Sequence, residues 1–128
     1  MSVLGELQPN KVFKYFEEIC SIPHGSRNLQ QISDYLVDFA KAHGLKYRQD
    51  EDLNVIIWKD GSKGYEASEP VILQGHMDMV AVKEVDCDKD MEKEGLDLEI
   101  NGDYISAKGT SLGGDDGIAV AYTLAVLD

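Results

Sequence analysis

The stretch Val71-Ile72-Leu73-Gln74-Gly75-His76-Met77-Asp78 decides both the fold and the site that the sequence predicts. Its three leading apolar residues follow a proline, which predicts a short buried strand that ends near Gly75. Ligand crevices form at the carboxyl ends of strands in open α/β sheets, so His76 and Asp78 are expected to face one. Alternate side chains of an extended chain point to the same side, which brings Asp78 close to His76.

His76 and Asp78 have the chemistry of a metal ligand and of the carboxylate that orients it. Histidine is the commonest metal ligand in proteins, and the ring nitrogen that does not bind the metal needs an acceptor to fix the tautomer. The ordinary alternative is a histidine at the end of a strand beside an unrelated loop aspartate. The pattern His-x-Asp alone does not decide between the two.

A second motif, Gly109-Thr110-Ser111-Leu112-Gly113-Gly114-Asp115-Asp116-Gly117, leads into the last apolar segment. Glycines let a backbone come close to a ligand, and one carboxylate can bridge two divalent ions through its separate oxygens. The alternative is that Asp115 or Asp116 simply caps the final helix. A phosphate-binding loop is excluded, because that motif needs lysine where Asp115 stands.

Outward from these motifs, apolar periodicity predicts alternating helices and strands. The predicted elements are helices over 11–20 (capped by Asn10), 28–43 (ended by Gly44) and 118–127, strands over 46–49 and 53–58, and a hairpin turning at Asn101-Gly102. Tyr35, Phe39 and Trp58 are predicted to be core residues, and His24 an ordinary loop residue. The order of elements favours an α/β layer architecture.

Composition excludes several classes of function. The 128 residues carry 12 basic and 24 acidic side chains, a net charge of −12, whereas nucleic-acid binding and anionic-membrane binding need a basic face. A hydrophobic content of 43% is enough for a core. No signal peptide or membrane span is visible, and Cys20 and Cys87 are not expected to form a disulfide, which predicts a cytoplasmic location.

Taken together, the two motifs resemble the first two metal-site motifs of the aminoacyl-histidine dipeptidases, also called peptidase D or Xaa-His dipeptidases, a family of zinc peptidases. The matching residues are Gly75 to Val80 and Gly109 to Ala119. The resemblance spans nearly the whole chain, including the Ile22-Pro23-His24 turn and the strand before Trp58. It implies an α/β fold, the three-layer catalytic domain of a zinc peptidase, of which residues 1–128 would be the N-terminal part.

The resemblance also implies a role for each site residue. His76 would bind one of two zinc ions, Asp115 would bridge both, and Asp78 would be the catalytic-site carboxylate that orients His76. A strained or cis peptide bond is expected after Asp115. Asp116 stands where this family often has asparagine, although related tripeptidases carry Asp-Asp.

The implied enzyme is a dimeric, cytoplasmic hydrolase of Xaa-His and similar dipeptides, acting through a water activated by two metal ions. The resemblance also implies a Glu-Glu pair, whose first member would be the general base and whose second would bind zinc. This pair, the remaining ligands and the lid and dimerisation domain find no match in residues 1–128. The helix that reaches Asp128 lacks an ordinary stop signal, which favours a chain that has been cut. The 128 residues alone are therefore expected to have no peptidase activity.

Two other interpretations remain open. A related tripeptidase or N-acyl amino acid amidohydrolase would share the metal chemistry, but Met79-Val80 after His-x-Asp favours the dipeptidase. A noncatalytic α/β module would use Asp115 and Asp116 only as helix caps and would bind no metal.

Overall fold

The computed structural model describes residues 2–128, which form three helices and two separate antiparallel hairpins. In chain order the elements are α1 (Asn10–Cys20), α2 (Gln30–Ala42), β1 (Lys46–Gln49), β2 (Val55–Trp58), β3 (Leu98–Asn101), β4 (Tyr104–Ala107) and α3 (Gly114–Leu127). The predicted helices and both predicted hairpin strands near residue 101 are confirmed. Asn10 does not cap α1, since its side chain donates to the Gly5 carbonyl and Pro9 precedes the helix.

Helices α1 and α3 pack against each other and form the centre of the core. The buried face of α1 carries apolar side chains at helical spacing, among them Val12, Phe16 and Ile19. Gly117 allows the close approach of α3, because a Cβ atom there would lie 3.3 Å from the Phe16 ring. The helix that begins at the second motif is therefore held firmly by the N-terminal helix.

The β1–β2 hairpin packs against α2. Ser33, which is fully buried in α2, donates from its hydroxyl to the Leu53 carbonyl at 2.7 Å and ties the helix to the hairpin. Gly44 has a φ of 66°, a left-handed conformation that ends the segment after α2 as predicted. Trp58 is 44% exposed, so its prediction as a core residue was wrong; it lies on the outer face of β2, beneath Lys46.

The predicted buried strand over Val71–Leu73 is not found among the described residues. The segment has no ladder of strand hydrogen bonds, and Val71 and Ile72 are 83% and 88% exposed. No strand of residues 2–128 runs beside it, and only its end, at Gly75, packs on α3. The apolar character of residues 71–73 predicted a buried strand. Such a strand needs another strand beside it, and residues 2–128 provide none there.

Within residues 2–128, no helix has both the length and the apolar character needed to cross a membrane. Cys20 and Cys87 are both free thiols, as expected, and burial raises the pKa of Cys20 to about 12.

His24 lies in the Pro23–Ser26 turn and is buried, with 2% of its surface accessible. Its Nδ1 atom lies 2.6 Å from the Ile22 carbonyl. Burial of the ring lowers the pKa of His24, although the Ile22 carbonyl and the negative charge of Asp78 oppose that shift. His24 thus lies in a loop, as predicted, and its ring is buried because the chain after Asp78 covers the turn.

Burial of neutral His24 predicts a loss of stability in mild acid. The unfolded chain takes up a proton on this ring near the usual histidine pKa of about 6.5, whereas the folded chain does so only at lower pH. The His24 contribution is therefore complete above that value and is lost as the pH falls through the lower folded-state pKa. The unfolding free energy measured in urea from about pH 8 to about pH 5 should fall less steeply in His24→Gln than in the wild type. Identical slopes would contradict the assignment.

Candidate metal centre

Backbone pairing with the Pro23–Ser26 turn holds the His76–Asp78 segment. The Met79 amide donates to the His24 carbonyl at 3.0 Å, and the Ser26 amide donates to the Met79 carbonyl at 3.0 Å. These bonds form a parallel bridge between Gly25 and Met79. The first motif is thereby anchored although its apolar leading residues are exposed.

A second set of contacts joins the first motif to the glycine-rich loop. The Ser111 hydroxyl donates to the Val80 carbonyl at 2.6 Å, and the Ser111 amide donates to the Val82 carbonyl at 3.0 Å. Met79 is 3% exposed and lies under Gly113, where a Cβ atom would come within 2.9 Å of the Met79 sulfur. The two motifs, which are more than thirty residues apart in sequence, therefore form one structural unit.

The start of α3 differs from an ordinary capped helix. Gly113 precedes it in a left-handed conformation with a φ of 74°, and no side chain among residues 2–128 makes a capping hydrogen bond. Asp115 and Asp116 have non-helical backbone angles and are joined by a cis peptide bond, which confirms the expected backbone after Asp115. Neither aspartate thus serves as the helix cap that the noncatalytic interpretation required.

His76 lies between the carboxylates of the two motifs. Its Nδ1 atom is 3.0 Å from Asp78 Oδ1 and 3.1 Å from the Asp78 carbonyl oxygen. Its Nε2 atom is 3.0 Å from Asp115 Oδ1, and its backbone amide donates to Asp116 Oδ2 at 3.4 Å. All of the residues predicted for the site are therefore brought together.

The electrostatics of the cluster favour the protonated form of the His76 ring and the ionised form of the Asp78 carboxylate. The hydrogen bond to Asp115 is the main cause of a raised pKa at His76, to which the carbonyl and charge of Asp78 add. The hydroxyl of Ser26 is the main cause of a lowered pKa at Asp78. Because a divalent cation would replace the proton between Nε2 and Asp115, the same charges would favour such an ion.

The donor set fits part of a zinc site. Imidazole nitrogen and carboxylate oxygen each bind zinc at about 2.0–2.2 Å, so two such ligands of one tetrahedral ion stand roughly 3.3–3.5 Å apart. The Nε2 to Oδ1 distance of 3.0 Å is that of a hydrogen bond, and the two atoms would move slightly apart to share an ion. Within residues 2–128, no group of three or more His, Cys, Asp or Glu side chains could hold a metal ion. The cluster therefore offers two donors, both open to solvent, with the His76 side chain 53% and the Asp115 side chain 95% exposed.

Sequence reasoning missed three residues that build this site. Ser26 donates to Asp78 at 2.6 Å, Met79 fills the space under Gly113, and Ser111 joins the two motifs. A serine in a turn and a methionine after an aspartate carry no local signal for such roles. Only the pairing of distant segments reveals them.

Comparison with known proteins finds the same unit in dipeptidases. No protein-family model matches the chain. The chain is 41% identical over 127 residues to the cytosol non-specific dipeptidase of Escherichia coli (strain K12), covering 99% of this chain and 26% of that protein. Among solved structures, it matches the crystal structure of aminoacylhistidine dipeptidase from Vibrio alginolyticus with a TM-score of 0.94 and 40% identity, covering 98% of this chain and 26% of that one.

These matches relate the chain to peptidases by both sequence and fold. More particularly, they confirm the resemblance to the aminoacyl-histidine dipeptidases, over nearly every residue of the chain. The chain spans about a quarter of the length of the two relatives. The predicted α/β fold class is likewise confirmed by the match to the dipeptidase structure.

Proposed function

We propose that the chain is the part of a zinc-dependent dipeptidase that supplies His76 and Asp115 as metal ligands and Asp78 as the carboxylate orienting His76. The substrates proposed are Xaa-His and similar dipeptides. A cytoplasmic location is part of the proposal and is supported by the name of the Escherichia coli relative, a cytosol enzyme. A homodimeric assembly of the complete enzyme is also proposed, on the resemblance alone.

One observation carries the proposal: His76 Nε2 and Asp115 Oδ1 face each other at 3.0 Å, from two motifs that the backbone joins. A histidine and a carboxylate meeting in this way would be the first two protein ligands of a zinc ion. The absence of a side-chain cap on α3 supports a ligand role for Asp115 over a capping role. It also counts against a noncatalytic module.

Each of the three site residues, His76, Asp78 and Asp115, would make a distinct contribution to catalysis. Asp78 accepts from Nδ1 of His76, which keeps the proton on that nitrogen and leaves the Nε2 lone pair free for an ion. Asp115 would hold the metal ions through its carboxylate, whose Oδ1 faces His76. When bound, a pair of zinc ions polarises the scissile carbonyl and makes water nucleophilic near neutral pH. The general base and the remaining ligands would come from other parts of the enzyme.

A chimeric enzyme tests this function directly. Residues 1–128 would replace the matching quarter of the Escherichia coli dipeptidase, to which they are 41% identical. We expect the chimera to hydrolyse an Xaa-His dipeptide with zinc and to lose at least about a thousandfold of kcat/KM in Asp115→Ala, because metal chemistry contributes several kcal/mol to such reactions.

Asp103→Ala is the matched control, since Asp103 lies in the tip of the β3–β4 hairpin. Its activity should equal that of the unmodified chimera. A folded chimera that remains inactive with zinc, or one that keeps full activity in Asp115→Ala, would contradict the proposed function.

A further inference from the structure

We infer that Ser26 is a positioning residue of the metal centre: its hydroxyl fixes the Asp78 carboxylate, which in turn holds the His76 ring with Nε2 free for a metal ion. The inference deepens the proposed function and rests on it for the role of the ion. Ser26 itself touches neither a candidate ligand nor the position between His76 and Asp115. It would act only through Asp78.

Hydrogen bonds connect the Pro23–Ser26 turn to the candidate ligands without a break. Ser26 Oγ donates to Asp78 Oδ2 at 2.6 Å, and the other oxygen, Oδ1, lies 3.0 Å from His76 Nδ1. A carboxylate anchored at one oxygen cannot rotate without losing that bond, so the second oxygen stays directed at the ring. The opposite ring nitrogen, Nε2, then faces Asp115.

The backbone holds Ser26 in place independently of its hydroxyl. The Ser26 amide donates to the Met79 carbonyl at 3.0 Å, and the Asn28 amide donates to the Gly25 carbonyl at 2.8 Å. The hydroxyl has one further contact, at 3.4 Å, to the Met79 carbonyl. Removing only the hydroxyl should therefore leave the turn folded while releasing Asp78.

Two carboxylates compete for the single ring proton of neutral His76. The Asp78 side chain is 37% exposed and is anchored by Ser26, whereas the Asp115 side chain is 95% exposed. Nδ1 faces two acceptors of Asp78, Oδ1 at 3.0 Å and the carbonyl oxygen at 3.1 Å, whereas Nε2 faces Asp115 Oδ1, whose bond competes with water at this exposed side chain. The proton should therefore reside on Nδ1, next to Asp78, and the Nε2 lone pair should be available to a metal.

The test uses nitrogen-15 NMR of the imidazole rings in the metal-free 128-residue chain, at about pH 9, far above the usual histidine pKa of about 6.5. In the wild type, neutral His76 should be mainly the tautomer with its proton on Nδ1. Ser26→Ala should shift the population towards the Nε2–H tautomer, and Ser26→Thr, which keeps the hydroxyl, should restore it. Ser21→Ala removes a serine hydroxyl that bonds only the Glu18 carbonyl and should have no effect.

Zinc affinity provides the second readout on the same variants. Partners of a metal-bound histidine typically contribute about 10- to 100-fold to affinity, and Ser26 acts through such a partner, so we expect Ser26→Ala to weaken zinc binding by about three- to tenfold. Ser26→Thr should bind as the wild type does.

An unchanged tautomer population in Ser26→Ala, or an equal shift in Ser21→Ala, would overturn the inference. Because the tautomer is read without metal or substrate, failure of the proposed dipeptidase function would leave a shifted tautomer in Ser26→Ala intact. The two failures are therefore distinguishable.

Discussion

Zinc binding by the chain is expected to weaken by about a hundredfold or more in His76→Ala, since even the hydrogen-bond partners of metal ligands contribute about 10- to 100-fold. The substitution removes Nε2, one of the two donors that face each other at 3.0 Å. Asp115 alone, with its side chain 95% exposed, would then attract zinc no better than an ordinary surface carboxylate. The loss is measured by competition with a chromophoric zinc chelator.

His43→Ala is the matched control for this loss. His43 is also partly exposed and also lies near an aspartate, with Nε2 3.3 Å from Asp128 Oδ1, but at the far end of α2. Zinc affinity should not change in this variant. Equal losses in His76→Ala and His43→Ala would indicate nonspecific binding to histidines and contradict the site.

Gly113→Ala should have the largest effect on the fold near the site. An alanine with a φ near 74° costs about 1–2 kcal/mol, and its Cβ atom would lie 2.9 Å from the buried Met79 sulfur, which adds roughly 1–3 kcal/mol of overpacking. Because Met79 connects the two motifs, relief of this clash would also move Asp115 away from His76. We expect a drop of about 2–5 kcal/mol in the unfolding free energy, measured in urea, together with weaker zinc binding.

Gly44→Ala separates the cost of the left-handed backbone from the cost of the clash with Met79. Gly44 has a φ of 66°, but a Cβ atom there would meet nothing within 4 Å. In this variant the unfolding free energy should fall only by the cost of a left-handed alanine, about 1–2 kcal/mol, and the zinc affinity should not change. Equal destabilisation in the two variants would mean that the packing of Met79 under Gly113 contributes nothing.

Local patterns in the sequence were sufficient for the elements that depend on neighbouring residues. Apolar spacing predicted α1 and α2, and the Asn101-Gly102 signal predicted the β3–β4 hairpin, although the two turn residues are Gly102 and Asp103. The cis peptide bond after Asp115 was expected from the resemblance to the dipeptidase family and not from a local pattern.

Features that depend on distant parts of the chain could not be predicted in this way. Val71 and Ile72 are apolar enough for a buried strand, yet whether they are buried depends on what lies beside them. The bond from Ser26 to Asp78 spans 52 residues, and nothing in the Pro23–Ser26 turn indicates its partner. The same holds for His24, whose burial results from the chain that follows Asp78.

Binding of one metal ion by His76 and Asp115 together is tested by zinc titration of the isotope-labelled chain followed by NMR. Zinc should shift the Nε2 resonance of His76 and the amide signals around Asp115, and should leave His24 and His43 unchanged, even if binding is weak. Zinc-induced shifts at His43, or at the acidic side chains among residues 84–94, with His76 Nε2 unaffected, would contradict joint binding by His76 and Asp115.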